Sequence, residues 1–173
     1  MGLGELGAVV AGWWRILVRL VLRGGRPPED DAQRHDEVLR TYVDLLAAFR
    51  EVPSISAADL LAVWDDPALQ ILDARPEDER AVSMLPASLP LEEVEISALR
   101  GRRVVVYCTL GWRSGREAAR LRRQGVDVVN LAGGILAWTH VGGPLFRGVE
   151  PVREVHVVAE PWDLARKDYR SVW

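Results

Sequence analysis

The sequence predicts an α/β fold, a parallel sheet with helices on both faces, carrying an amino-terminal helical extension. Two observations predict it. Apolar runs of strand length at Leu69–Leu72, Arg103–Tyr107 and Val126–Leu131 alternate with segments of helical character, and this order gives a parallel sheet covered on both sides. The second is Val104-Val105-Val106, apolar at three consecutive positions, the pattern of a strand buried on both faces.

Taken in order, the first element is an apolar run from Leu3 to Leu22, broken by Glu5, Arg15 and Arg19. At 100° per residue Ala8, Gly12, Arg15, Arg19 and Arg23 share one face, while Val10, Trp13, Trp14, Leu17, Leu20 and Val21 cover much of the rest. Positive charge follows the apolar stretch instead of preceding it, which disfavours a secretory signal. Two roles stay open: peripheral membrane contact through residues 3–22, or docking of the apolar sides on the domain or a second subunit. Gly24, Gly25, Pro27 and Pro28 mark a linker. Val38, Leu39, Tyr42, Leu45, Leu46 and Phe49 then repeat at helical spacing through about residue 50, a packing helix without chemistry.

From Val52 onward strands and helices alternate. Ser54-Ile55 is extended, and Ser56 caps a helix through Trp64, with Asp59 completing a variant capping box. The strand from Leu69 ends at Asp73-Ala74-Arg75, and a charged helical turn follows from Pro76 to Val82. Ala87–Leu89 reads as a short strand and Leu91–Leu99 as a short helix. Ser114–Gln124 is a helix stopped by Gly125, and Gly133-Gly134 opens a last one through about His140. The expected organisation is therefore an apolar, arginine-bearing helix (1–26), a linker with a packing helix (27–51), the α/β domain (52–145) and a tail (146–173) with strand character near Val155.

Composition narrows the function. A 49% apolar content argues against a disordered chain. One Cys excludes an intrachain disulfide and a multi-cysteine zinc site and fits a reducing, cytoplasmic compartment, and three scattered His give no metal cluster. Residues 1–26 carry net charge +3, so the rest of a chain of net charge -3 carries -6, which argues against nucleic acid as a partner. Residues 100–123 are locally basic, with eight Arg against Glu117, and are read as a solvated helix face with anion steering as a by-product. His140 and His156 are read as structural.

The informative segment runs from Val104 to Arg116, where the single Cys108 lies between a buried strand and a helix. Carboxyl-terminal strand ends form the ligand crevice of open α/β sheets. Loop N–H groups, the positive end of the following helix and Arg113 all favour a thiolate there. This context makes Cys108 a candidate nucleophile, against the alternative of a small buried apolar residue.

The stretch from about Ile55 to Pro144 resembles a rhodanese-homology domain. The resemblance is carried by Ile71-Leu72-Asp73-Ala74-Arg75, by Ser83-Met84-Leu85-Pro86-Ala87-Ser88 followed by Leu89-Pro90, by the Cys108 loop with Gly111-Trp112-Arg113-Ser114, and by Gly133-Gly134-Ile135-Leu136-Ala137-Trp138. Met84 stands where the family commonly has His, and Ala87-Ser88 replace its usual Gly-Ala. The resemblance implies sulfur transfer through a Cys108 persulfide, from thiosulfate or a persulfide donor to a thiol or cyanide-type acceptor, with no cofactor and no metal. The implied partners are a small sulfur-containing anion and a thiol or sulfur-acceptor protein. In the implied site the backbone of Thr109, Leu110, Gly111, Trp112 and Arg113 cradles the anion and Arg113 supplies charge. Asp73 orients the loop, through Arg113 in one reading, and Arg75 pairs with Asp73 or meets substrate. Ser114 caps the helix, and Trp112 walls the mouth or covers core.

Three rivals remain. A cysteine phosphatase or arsenate reductase needs Cys-x5-Arg, whereas four residues separate Cys108 from Arg113. A non-catalytic binding or scaffold module tethered by its first helix would have little use for the Cys108–Arg113 pair. A redox sensor usually pairs its thiol with a resolving Cys, and the sequence has no second one.

Overall fold

A computed structural model describes residues 3–46 and 51–173. Two helices come first, α1 (Leu3–Leu22) and α2 (Asp31–Leu46). The helical periodicity read through residue 50, Phe49 included, runs on into 47–50, outside the described residues. The α/β body follows as β1 (Ser54–Ile55), α3 (Ala57–Leu61), β2 (Leu69–Asp73), α4 (Glu77–Val82), β3 (Leu89–Pro90), β4 (Arg103–Tyr107), α5 (Trp112–Arg123), β5 (Val128–Leu131) and α6 (Gly134–His140). Strands β6 (Leu145–Arg147), β7 (Glu150–Val152), β8 (Glu154–His156) and β9 (Arg170–Val172) complete the chain.

The sheet has five parallel strands in the order β1-β5-β4-β2-β3. The valine run lies at its centre, and its alternate residues feed two cores. Val105 and Tyr107 join Leu60, Ile135 and Trp138 on one face, while Val104 and Val106 join Leu99, Ala118 and Leu121 on the other. A strand with no wet face needs no polar alternation, which explains the unbroken apolar run. Ser56 caps α3 as its spacing predicts, accepting from the Asp59 N–H at 3.1 Å and donating to the Asp59 carboxylate at 2.6 Å.

Several boundaries differ from the expected ones. Ala87 belongs to a turn with φ 54, so the strand expected at Ala87–Leu89 is confined to Leu89–Pro90. The helix expected at Leu91–Leu99 splits into two 3-10 turns, Leu91–Glu93 and Ile96–Leu99, too short to register as one periodic face. The segment after residue 145 is structured: Val155, Val157, Leu164, Ala165 and Tyr169 lie in the same core as Trp138.

Helix α1 docks on α2 through its arginine stripe together with the buried Ile16, and much of its apolar surface is turned away. Arg19 meets Glu37 at 2.9 Å and Asp44 at 2.6 Å, Arg15 meets Asp44 at 3.3 Å, and Arg23 meets Glu37 at 3.6 Å. The reason is the acidic pair on α2, whose carboxylates are largely buried and need partners.

Candidate active site

The middle strand β4 delivers Cys108 at its carboxyl end, beside the end of β2, where Asp73 pairs in register with Tyr107. A short loop then turns into α5. Gly111 sits at φ 98 immediately before the helix, a left-handed conformation, and a Cβ there would meet the Tyr42 ring at 2.6 Å. Both facts require glycine. The loop is held from below by α6: Ile135 N–H donates to Cys108 O at 2.9 Å and Leu136 N–H to Thr109 O at 3.3 Å. A Cβ on Gly134 would lie 2.2 Å from Cys108 O, so the second glycine of the pair is what lets this helix approach the loop.

The thiol is buried, with 2% of Cys108 exposed. Gly111 N–H donates to Sγ at 3.2 Å and Ser114 Oγ donates to it at 3.4 Å. Ser114 was expected to cap the helix; instead α5 begins two residues earlier, because Gly111 makes the turn, and Ser114 in its first turn faces the sulfur. Of the cradle expected over Thr109–Arg113, the Gly111 amide is the group aimed at sulfur, Leu110 is buried core, and Trp112 is half-buried with its ring edge-on to Trp13 of α1 at 5.8 Å.

Arg113 and Thr109 converge on an acid that the sequence reading passed over. Arg113 donates to both Glu79 oxygens, at 2.6 and 2.7 Å, and to Thr109 Oγ1 at 2.9 Å, while Thr109 Oγ1 donates to Glu79 at 3.0 Å. Burial alone would raise the Glu79 carboxyl, but the Arg113 and Thr109 hydrogen bonds and the nearby Arg75 charge hold it below the usual carboxylate range. Burial works against the charge on Arg113, and Glu79 together with the Cys108 sulfur holds its pKa above the ordinary guanidinium value. Glu79 is one of three adjacent acids, Glu77-Asp78-Glu79, and only packing shows which of them turns inward.

The loop is therefore not oriented by an Asp73–Arg113 contact. Asp73 accepts from Arg75 at 2.7 Å in a fully buried pair and from the Tyr107 hydroxyl, and Arg75 also donates to Ser83 O at 2.6 Å. The geometry is local: Arg75 lies two residues along the same strand end, while Arg113 points away toward α4. Arg75 is thus 1% exposed and paired with Asp73, while its Nη1 is buried without a hydrogen-bond partner.

Two more residues reach the loop from unexpected places. Asn130, a polar residue inside an apolar strand, donates to Gly111 O at 2.9 Å and to the Tyr42 hydroxyl at 3.4 Å, and Tyr42 shares a 2.6 Å hydrogen bond with Ser54 Oγ. The helix read as bare packing thus supports the turn that aims the Gly111 amide. His156 from β8 lies with Nδ1 3.9 Å from Glu79, so it borders the same charge cluster, whereas His140 is structural, its Nε2 2.8 Å from Leu164 O and its ring stacked on His35.

With this geometry in place, comparison decides the family. A family model described as Rhodanese-like domain matches residues 56–140. The chain belongs to the rhodanese-like domain family. A sulfurtransferase of Allochromatium vinosum is 38% identical over 101 residues, spanning 55% of this chain and 92% of that protein. A thiosulfate sulfurtransferase from Pseudomonas aeruginosa superposes with a TM-score of 0.53 at 29% identity, over 61% of this chain and 22% of the larger one. A Rhodopseudomonas palustris protein described as a possible tyrosine phosphatase superposes with a TM-score of 0.50 at 20% identity, over 65% of this chain and 93% of that one, a likeness of fold alone. This rhodanese-like chain adds α1 and α2 ahead of the matched region and β6–β9 behind it, and both additions touch the residues around Cys108.

Proposed function

We propose that the protein is a sulfurtransferase that moves a sulfane sulfur from thiosulfate or a persulfide donor to a thiol or cyanide-type acceptor through a Cys108 persulfide. The observation that carries this reading is the Cys108 sulfur at the mouth of α5, accepting from the Gly111 N–H at 3.2 Å with Arg113 close by.

In the first half-reaction the Cys108 thiolate attacks the outer sulfur of thiosulfate. The new S–S bond forms as the old one breaks, and sulfite leaves with the bonding electron pair. The persulfide that remains is anionic at its outer sulfur, and the loop amide and helix N-terminus stabilise that charge. In the second half-reaction an acceptor nucleophile attacks the outer sulfur and Cys108 departs as thiolate. Two half-reactions through one covalent form give ping-pong kinetics. The spacing of four residues between Cys108 and Arg113 supports a sulfur-sized anion over a tetrahedral phosphate.

Intact-mass analysis before and after thiosulfate tests this. The expected result is a gain of one sulfur atom, removed by cyanide and absent from Cys108→Ser. No adduct with thiosulfate or a low-molecular-weight persulfide would overturn the reading in favour of a binding module.

A further inference from the structure

We infer that the outward face of α1 is a docking surface for a lipid bilayer, on which the helix lies flat beside the Cys108 loop. The orientation of the helix is the first ground. Its arginines turn toward α2, where Arg19 bonds Glu37 and Asp44, Arg15 meets Asp44 at 3.3 Å and Arg23 lies 3.6 Å from Glu37. Gly12 abuts the Asp44 backbone so closely that a Cβ there would fall 2.3 Å from the carbonyl oxygen. These contacts, with the buried Ile16, set the rotation of α1 about its axis and turn the rest of its apolar residues outward. Val10, Trp13, Trp14, Leu17, Val18, Val21 and Leu22 are left exposed, Trp14 at 65% and Leu22 at 81%. An arrangement with charge inside and apolar residues outside is costly in water and calls for a cover.

The chemistry of the face selects the cover. No helix among the described residues is long and apolar enough to cross a membrane. A 20-residue helix with an apolar outward face and a charged inner one suits the plane of a bilayer interface, where binding strengthens with the apolar area it buries. Trp13 and Trp14 suit the headgroup boundary, and Arg26, exposed just past the end of the helix, is a partner for anionic headgroups. Because Trp13 meets Trp112, docking by this face brings the loop after Cys108 to the membrane surface.

Flotation of the full-length protein with vesicles of phosphatidylcholine and phosphatidylglycerol tests the inference without reference to sulfur chemistry. Wild type and Cys108→Ser are expected to float equally, as is Val149→Glu, a substitution at a 92% exposed site elsewhere. Trp14→Glu and Val21→Glu, both at exposed sites with no packing to lose, are expected to lower vesicle partitioning at least tenfold while far-ultraviolet circular dichroism stays unchanged. Wild-type protein left in the dense fraction would overturn the proposal. So would a wild-type dimer in sedimentation velocity that Trp14→Glu converts to monomer, which would assign the face to a second copy of the chain.

Discussion

Glu79 accepts two guanidinium hydrogen bonds from Arg113, at 2.6 and 2.7 Å, and so holds this cation beside the Cys108 loop without itself bonding the sulfur. It is a positioning residue. Glu79→Gln keeps an acceptor but removes the charge, which costs about 1.5–3 kcal/mol for hydrogen bonds to a charged group. Persulfide formation from thiosulfate is expected to slow about tenfold, equivalent to about 1.4 kcal/mol of activation free energy. Stopped-flow mass or absorbance assays read the rate and urea titration the stability. A variant that loses stability but reacts at the wild-type rate would show that the Arg113 position is irrelevant to sulfur transfer.

The same pair sets a dependence on pH. The Glu79 carboxyl lies below its ordinary value in the folded chain, because Arg113, Thr109 and Arg75 outweigh the penalty of burial. Its contribution to stability is therefore complete above the unfolded value of about 4.3 and is lost as pH falls through the lower folded value. The difference in urea midpoint between wild type and Glu79→Gln should stay constant from neutral pH to about 5 and shrink below about 4. A difference that widened on acidification would contradict the assignment.

The sheet and the loop were legible in the sequence because both rest on local signals. Three consecutive valines announce a doubly buried strand, and Cys108-Thr109-Leu110-Gly111-Trp112-Arg113 announces a turn between strand and helix. What holds the loop was not legible, since it depends on which side chains meet across the fold. Glu79 is indistinguishable in sequence from Glu77 and Asp78, and Tyr42 reads as one more member of an apolar stripe. Asn130 did carry a signal, a polar side chain in the middle of an apolar strand, and buried polar groups find partners. The direction of α1 was hidden for a different reason. Amphipathicity shows that a helix has two faces, and only Glu37 and Asp44 on the neighbouring helix decide which one turns inward.

Asp73 and Arg75 form a fully buried ion pair, with Arg75 also bonded to Ser83 O and Asp73 to Tyr107. Removing one charge strands the other in a site that water does not reach. Asp73→Asn is accordingly expected to destabilise the protein by about 3–5 kcal/mol. Denaturant unfolding measures this, and a loss below about 1 kcal/mol would mean that Arg75 finds solvent or another acceptor.

Ala87 occupies a left-handed conformation, φ 54, a region that favours glycine. An L-residue there bears a strain of roughly 1–2 kcal/mol because its Cβ crowds the following carbonyl oxygen. Glycine relieves that strain but gives back about 0.4–1 kcal/mol in the entropy of the unfolded chain. The side chain is exposed, so no packing is lost. Ala87→Gly should therefore stabilise the protein by about 0.5–1 kcal/mol, against the usual destabilising effect of glycine. A shift of the urea midpoint to higher concentration with an unchanged slope is the expected reading. A shift to lower concentration would mean that the turn relaxes around alanine without strain.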